Sequence, residues 1–167
     1  AKTSQRLVND RSSTLGAFAF DYKDPMPNFD RSKVKGLVGT LISVKDVRGV
    51  TALEVGAGGR LWQVVVDNET TGKLLLERGQ LKRRVTIIPL NKIDKSTLTG
   101  DQLRRAERVA GKDNATCALE LIDYPAEVDP AMRYVFGKFF VCSDPASAKA
   151  VTFDDRIRAK SVTIEGL

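Results

Sequence analysis

The stretch ALEVGAGGRLWQVVVDNETTGKL (residues 52–74) decides the fold, because a second stretch of the same design, AMRYVFGKFFVCSDPASAKA (residues 131–150), follows it in the chain. Each begins with a short helical pattern, stops at a glycine, continues through an apolar run typical of a buried strand, and ends in a helix with a capping residue. One short gap aligns Gly59 with Gly137 and Lys73 with Lys149. The pattern predicts a domain of two similar halves, with binding surface at their edges or seam. Neither copy contains an obvious catalytic group.

The patterns around the two copies extend this organisation. In the first half they predict strands at residues 36–44, 61–66 and 85–88, and helices at residues 51–57 and 68–79. In the second half they predict helices at residues 102–110, 129–136 and 144–151, and strands at residues 139–142 and 161–164. Residues 118–122 fit either a helix or a strand, and the alternation at residues 18–22 is typical of a strand. No disordered linker separates the halves, so the sequence predicts an α+β (mixed α/β) fold in which they pack together.

Composition narrows the function classes. The 167 residues are 42% hydrophobic and 29% charged, as in an ordinary globular domain, and the formal net charge is +6. This charge permits contact with phosphate groups or acidic partners, but it is equally common in proteins that bind neither. The chain contains no histidine, which removes the most common general base and metal ligand. We therefore expect a chain that is not an enzyme and needs no cofactor.

Three further features bear on its cellular context. No apolar run approaches the ~20 residues that a membrane-spanning helix needs, and the first residues lack a secretory signal pattern. Cys117 and Cys142 are expected to be buried thiols in a reducing compartment. The polar residues 1–14 fit either a disordered tail or the end of a longer helix.

The glycine-rich run Gly56-Ala57-Gly58-Gly59 invites comparison with phosphate-binding loops. Such a loop carries GxxxxGK[ST] between a strand and a helix, whereas this run follows a helix and precedes a strand. Helix termination and close packing are therefore the better interpretation of these glycines.

Two groups of basic residues stand out in the sequence. Lys82, Arg83 and Arg84 form the densest cluster of positive charge, which predicts either contact with phosphates or a solvated turn between a helix and a strand. Arg104, Arg105 and Arg108 are interpreted as the solvated face of the helix at residues 102–110.

Several longer runs together resemble the hinge domain of structural maintenance of chromosomes (SMC) proteins. They are VKGLVGTLISVKD (residues 34–46) and ALEVGAGGRLWQVVVDNETTGKLLLERGQLKRRVTIIPLNKI (residues 52–93). FAFDYKDP (residues 18–25), YVFGKFFVC (residues 134–142) and AKAVTFDDRI (residues 148–157) are similar to the eukaryotic condensin subunit-2 branch. The resemblance covers residues 15 to 166, nearly the whole chain.

The resemblance implies the SMC hinge fold, with two pseudo-symmetric subdomains that are each a small mixed sheet packed with helices. We expect a coiled-coil stump or disordered tail at residues 1–14, subdomain I at residues 15–95 and subdomain II at residues 96–167. Family hinges continue past the last strand into a glycine-rich segment, so we expect part of the subdomain II pairing surface to lie beyond Leu167. The ATP-hydrolysing heads of the full protein belong to distant parts of its sequence.

The resemblance also implies partners and sites. The expected partner is the hinge of a condensin subunit-4 type protein, in a heterodimer that joins coiled-coil arms for chromosome condensation and segregation. The expected interface residues are Gly59, Arg60, Leu61, Trp62, Gln63, Val162, Thr163, Ile164 and Gly166. The alternative function is binding of DNA, possibly single-stranded, through Lys45, Arg48, Lys82, Arg83, Arg84 and Lys92. No membrane contact is expected, and the location implied is the nucleus and cytoplasm, on chromosomes during division.

Overall fold

The computed structural model describes residues 20–165. In the first half, the helices and strands are β1 (Val34–Leu37), α1 (Val38–Leu41), β2 (Ser43–Val44), α2 (Val50–Ala57), β3 (Val64–Val66), α3 (Glu69–Arg78) and β4 (Ile87–Pro89). In the second half, they are α4 (Gly100–Ala110), β5 (Ala115–Cys117), β6 (Ile122–Asp123), α5 (Asp129–Phe136), β7 (Phe139–Cys142), α6 (Pro145–Thr152) and β8 (Lys160–Thr163). Short 3₁₀ turns occupy Arg31–Lys33, Val47–Gly49, Gly58–Trp62, Ala118–Leu121 and Ala126–Val128.

The two halves repeat one topology. Each contains a three-stranded sheet, in the order β1-β3-β4 and β5-β7-β8. In both sheets the first strand is antiparallel to the central strand, and the last strand is parallel to it. The crossover between the two parallel strands is a helix in each case, α3 in one half and α6 in the other, as parallel pairing requires. The predicted fold of two pseudo-symmetric α+β units is therefore confirmed, while the exact division at residues 95 and 96 stays a prediction.

The halves are joined by a short strand pair and by a common core. Strands β2 and β6 pair antiparallel through Ser43–Asp123 and Val44–Ile122. The largest apolar cluster draws side chains from both halves, including the fully buried Ile42, Leu53, Met132 and Phe136. Removal of this shared apolar surface from water ties the folding of one half to the other.

Two smaller apolar clusters lie outside the shared core, one in each half. In the second half, α4 contributes Ala106 and the flanking Leu103, Val109 and Ala110 to a cluster with Phe140 and Cys142. These four residues of α4 are the apolar stripe that its periodicity predicts. In the first half, the cluster is built from Leu37, Val64, Val66 and Leu75. Both cysteines are buried free thiols, as expected.

Polar residues begin the helices at the expected places. The Asn68 side chain accepts a hydrogen bond from the Thr71 backbone N–H at 3.0 Å, and Asp144 does the same for Ser147 at 2.7 Å. The backbone hydrogen bond from Ser147 is the main cause that lowers the pKa of the Asp144 carboxyl. These matching caps start the equivalent helices α3 and α6 of the two halves, because a side-chain acceptor satisfies an N–H that has no partner within the helix.

Three predictions of strand structure are wrong. Residues 36–44 do not form one strand: β1 ends at Leu37, the one-turn helix α1 follows, and β2 has two residues. Gly36 adopts a φ of 116° beside a bulge that shifts the β1–β3 register between Val34 and Gly36, and pairing resumes at Gly36 and Leu37 before β1 ends. Leu61 and Trp62 belong to a 3₁₀ turn rather than to β3. Residues 20–22 are not in a strand, and residues 18 and 19 lie outside the described part of the chain.

The structure also resolves the segment at residues 118–122, for which the sequence leaves two interpretations open. It forms a 3₁₀ turn over Ala118–Leu121, followed by the first residue of β6. In the first half, α1 followed by β2 occupies the equivalent position. In both halves a single helical turn therefore connects the first strand of the three-stranded sheet to the short strand that joins the halves.

Candidate partner-binding groove

A groove of about 660 Å³ lies where the two halves meet. The first half lines it with the end of α2, the turn that follows, and the approach to β4: Gly56, Ala57, Gly58, Gly59, Arg60, Trp62, Gln63, Arg84, Val85 and Thr86. The second half lines it with the end of α5 and the starts of β7 and β8: Val135, Lys138, Phe139 and Lys160. The groove therefore lies at the seam that the internal repeat predicts as a binding surface.

Glycines shape one wall of the groove. Helix α2 ends at Gly58, whose φ of 55° lies in the left-handed region that favours glycine. Two residues earlier, Gly56 packs against the ring of Phe139, and a Cβ atom at this position would lie 2.1 Å from the ring edge. Gly59 has open space around it. Close packing at Gly56 thus sets the distance between α2 and β7. The turn 58–62, which comes directly after α2, is thereby held beside the groove.

The side chains that line the groove make it electropositive. Among the lining residues that the structure describes are four basic residues, Arg60, Arg84, Lys138 and Lys160, and no carboxylate. The Arg60 guanidinium lies 4.9 Å from the centre of the Tyr134 ring, within the range of a cation–π interaction. The Lys160 ammonium donates a hydrogen bond to the Gly56 carbonyl at 2.8 Å, which links β8 to α2 across the seam.

Within residues 20–165, Lys138 is the one cation of this set with a close carboxylate partner. Its ammonium lies 2.6 Å from an Asp94 carboxylate oxygen, outside the lining of the groove. The hydrogen bond from Lys138 is the main cause that holds the pKa of Asp94 well below its ordinary value. Both side chains are about half exposed, so this ion pair is expected to add little to stability.

Gln63 lines the groove and contains a polar atom that no other residue in the described part of the chain satisfies. Its Oε1 is buried and has no hydrogen-bond partner within the described residues. A buried acceptor without a donor costs free energy, and such atoms are rare in folded proteins. A group that enters the groove with an N–H or O–H could supply the missing hydrogen bond.

Strand β8 lies beside the groove at the edge of its sheet. It pairs with β7 on one side, and no strand among residues 20–165 pairs with its other side. Val162 and Thr163 are buried, and Ile164 packs against the shared core, so their side chains contact their own chain. What this segment offers to a partner is therefore its backbone edge.

The structure separates the expected interface residues into distinct environments. Gly59, Arg60, Trp62 and Gln63 line the groove, and Val162 to Ile164 lie in or directly after β8. Leu61 is buried in the shared core, so it does not face the groove. Gly166 lies outside the described residues. Their contact with a partner stays a prediction.

The residues expected to bind DNA are not brought together. Four are exposed and lie near carboxylates: Lys45 with Asp123 at 3.9 Å, Arg48 with Asp46 at 2.6 Å, Lys82 with Asp21 at 3.9 Å and Lys92 with Glu69 at 3.5 Å. Hydrogen bonds from Arg48 lower the pKa of Asp46 to about 2. Arg83 and Arg84 are exposed in the connection between α3 and β4, and only Arg84 reaches the groove.

Sequence reasoning missed Lys138 and Lys160, which complete the positive lining of the groove. Lys160 reaches Gly56 across 104 residues of sequence, and no local pattern signals a contact at that separation. Within residues 20–165, no cluster of His, Cys, Asp or Glu side chains could hold a metal ion. Over the same residues, none of the helices has the length and apolar character to cross a membrane.

The repeated sheets, the shared core and the groove at the seam define a hinge-type domain. Residues 31–152 match the family model described as the SMC proteins flexible hinge domain, and the chain belongs to this family.

Its relatives indicate the branch of the family. The chain is 54% identical over 165 residues to structural maintenance of chromosomes protein 2-1 of Arabidopsis thaliana, covering 97% of the chain and 14% of that protein. It is 54% identical over 164 residues to structural maintenance of chromosomes protein 2 of Homo sapiens, covering 96% of the chain and 14% of that protein. The predicted subunit-2 branch is thereby confirmed, and the chain spans about one seventh of the length of these relatives.

Solved structures share the fold. A crystal structure of an asymmetric dimer of the Geobacillus stearothermophilus SMC hinge domain matches with a TM-score of 0.67 at 20% identity, covering 98% of this chain and 60% of that one. The Pyrococcus furiosus SMC hinge domain matches with a TM-score of 0.65 at 24% identity, covering 99% of this chain and 84% of that one. At these identities the similarity establishes the fold alone.

Proposed function

We propose that the chain is the dimerisation module of a condensin-type SMC subunit and pairs with the hinge of a subunit-4 type SMC protein. In this role it joins two coiled-coil arms and acts in chromosome condensation and segregation. The proposed location is the nucleus and cytoplasm, on chromosomes during division. Pairing, rather than catalysis, is the role that the groove and the strand edge beside it support.

The observation that carries this proposal is the position of β8 beside the groove at the edge of its sheet, where no second strand among residues 20–165 pairs with it. An unpaired strand edge is a template for strand addition, which supplies backbone hydrogen bonds, while pockets beside it select side chains. The groove provides such a pocket, with the half-buried Trp62 and the unsatisfied Gln63 Oε1 in its lining. Tryptophan is over-represented among residues that dominate binding energy at interfaces.

Size-exclusion chromatography with light scattering tests the proposal. The chain is run alone and mixed with the hinge of the human subunit-4 type SMC protein, and we expect a one-to-one complex in the mixture. The human hinge is a reasonable probe because this chain is 54% identical to the human protein 2. Two separate monomers at all concentrations, also with a C-terminal extension of this chain, would contradict the proposal.

Arg60→Glu is the substitution that should weaken pairing with the least effect on folding. Arg60 is exposed at the groove, and its guanidinium lies over the Tyr134 ring of the second half. Charge reversal replaces a favourable contact with repulsion or an unpaired charge, and we expect the dissociation constant to rise at least about tenfold. Isothermal titration calorimetry measures this. Arg108→Glu on α4, the same reversal at an exposed arginine outside the groove, is the control and should bind as the unchanged chain does.

DNA binding is the second candidate function, and the four basic residues of the groove favour it. A groove lined by cations without carboxylates attracts phosphates, and such binding releases counterions. We expect a fluorescein-labelled single-stranded oligonucleotide of thymidines to bind with an affinity that falls steeply between about 50 and 200 mM salt. Fluorescence anisotropy measures this. Affinity that is independent of salt, or unchanged in Arg84→Glu, would exclude phosphate contacts in the groove.

A further inference from the structure

A second cleft, of about 630 Å³, lies on the second half between α4 and the segment that follows α6, and we refer to it as the arginine cleft. The described residues that line it are two aspartates and five arginines. The arginines are Arg104, Arg105, Arg108, Arg156 and Arg158. We propose that this cleft binds a phosphorylated serine or threonine within a peptide segment of a partner protein. The inference is independent of the groove at the seam, since none of these residues lines that groove.

The segment that carries Arg156 and Arg158 is fixed to α4. Ile157, between the two arginines, is fully buried in the second-half cluster. Its carbonyl accepts a hydrogen bond from the Gln102 side chain at 2.6 Å. Arginine side chains on a segment anchored in this way lose less conformational freedom on binding, and a preorganised site binds more tightly.

An ion pair between the two walls adds to this anchoring. The Arg105 guanidinium lies 2.9 Å from an Asp154 carboxylate oxygen, and only 8% of the Asp154 side chain is exposed. Arg105 is therefore a structural link rather than part of a solvated helix face, and that interpretation of the sequence is wrong for this residue. Because Asp154 is occupied by Arg105, it does not neutralise the other arginines of the cleft.

Three arginines of the cleft keep their charge available. Among residues 20–165, Arg108, Arg156 and Arg158 have no carboxylate within ion-pair distance. Arg158 is held with a φ of 50° in the left-handed region, and its Nε donates to the Asp155 carbonyl at 2.9 Å. The guanidinium group forms paired hydrogen bonds to phosphate oxygens, and clusters of arginines recognise phosphorylated residues in this manner. A phosphate dianion would neutralise two of the three positive charges that these side chains leave unpaired.

The carboxylates at the cleft favour a peptide over a nucleic acid. Asp101 and Asp155 lie among the arginines, so the positive surface is interrupted rather than continuous. A nucleic-acid backbone needs a track of cations along successive phosphates, and these carboxylates would repel it. A single phosphorylated residue presents its charge at one point and needs no such track. Phe153, whose side chain is 76% exposed directly before this segment, offers an apolar contact to a neighbouring residue of the peptide.

Immobilised peptide libraries test the proposal. In one library a phosphoserine or phosphothreonine is fixed and the neighbouring positions are randomised, and a matched library contains unmodified serine or threonine. We expect the intact chain to be retained on the phosphorylated library, and the best single peptide to bind measurably in fluorescence anisotropy. Arg108→Glu and Arg156→Glu should each weaken that binding at least about tenfold, because each removes a charged hydrogen-bond donor and adds a repelling charge.

The control variant is Arg60→Glu, which reverses an exposed arginine of the other groove and should leave peptide affinity unchanged. Thermal unfolding by circular dichroism verifies that each variant remains folded, and Arg108→Gln repeats the test without the added negative charge. Equal retention on the phosphorylated and unmodified libraries would overturn the proposal. So would peptide binding that survives both cleft substitutions, or binding of a thymidine oligonucleotide, but of no phosphopeptide, through the same arginines.

Discussion

Phe136→Ala is expected to lower the free energy of unfolding by about 3–5 kcal/mol, the range for truncating a fully buried phenylalanine. Phe136 lies at the end of α5 with no exposed surface, and its ring centre is 6.4 Å from that of Phe139. It belongs to the cluster that also holds Ile42 and Leu53 from the first half. The cavity left by alanine would therefore weaken both halves.

The single tryptophan makes this effect measurable across the seam. Trp62 is in the first half, whereas Phe136 is in the second, so Trp62 fluorescence reports unfolding of the half that is not substituted. We expect the urea midpoint from fluorescence to fall together with the midpoint from far-ultraviolet circular dichroism. If the fluorescence midpoint stayed in place while the other fell, the halves would be independent folding units. Leu76→Ala, at a leucine that is 57% exposed, should shift either midpoint only slightly.

Gly56→Ala is expected to destabilise the chain by about 1–3 kcal/mol, the usual range for overpacking a core. The new methyl group would lie 2.1 Å from the Phe139 ring, which is itself buried and has little room to move. This clash outweighs the gain of up to about 1 kcal/mol that alanine brings to a helix interior. The same contact fixes the position of the Gly56 carbonyl that accepts the hydrogen bond from Lys160.

A double substitution identifies the cause of the Gly56 effect. Phe139→Leu frees the space beside Gly56, so Gly56→Ala should cost clearly less in that background than in the unchanged chain. Gly59→Ala is the matched control, because a Cβ atom there meets nothing within 4 Å. Chemical denaturation measures all four variants. Equal destabilisation by Gly56→Ala with and without Phe139 would show that the ring contact is not responsible.

Local features of the sequence were sufficient to predict most of the described helices to within two residues at each end. Asn68 and Asp144 carry side chains that can satisfy a helix N-terminus, and they do so in the structure. The prediction of one strand at residues 36–44 was wrong because an apolar run fits a buried helical turn as well as a strand. The bulge at Gly36 depends on pairing with β3, which no local pattern signals. The residues that resemble SMC hinges gave the overall architecture, which periodicity alone does not specify.

The candidate sites were harder to predict, because each is assembled from distant parts of the chain. The resemblance to SMC hinges assigned residues 59–63 to the interface, but the burial of Leu61 follows from a 3₁₀ turn where the apolar run predicted a strand. The arginine cleft needs α4 to lie against the segment after α6, a contact held by Gln102 and Ile157 over 55 residues of sequence. Seen on α4 alone, its arginines look like an ordinary solvated surface.

The most direct test of the proposed pairing is amide hydrogen exchange. It is measured by mass spectrometry on the chain alone and on the chain mixed with the hinge of a subunit-4 type SMC protein. The account predicts slower exchange in the complex at residues 58–63 of the groove and at residues 160–163 of β8, because strand addition protects the amides that are paired. The arginine cleft, outside this interface, should exchange at the same rate in both samples. A complex that forms while both of these segments exchange as in the free chain would contradict the account.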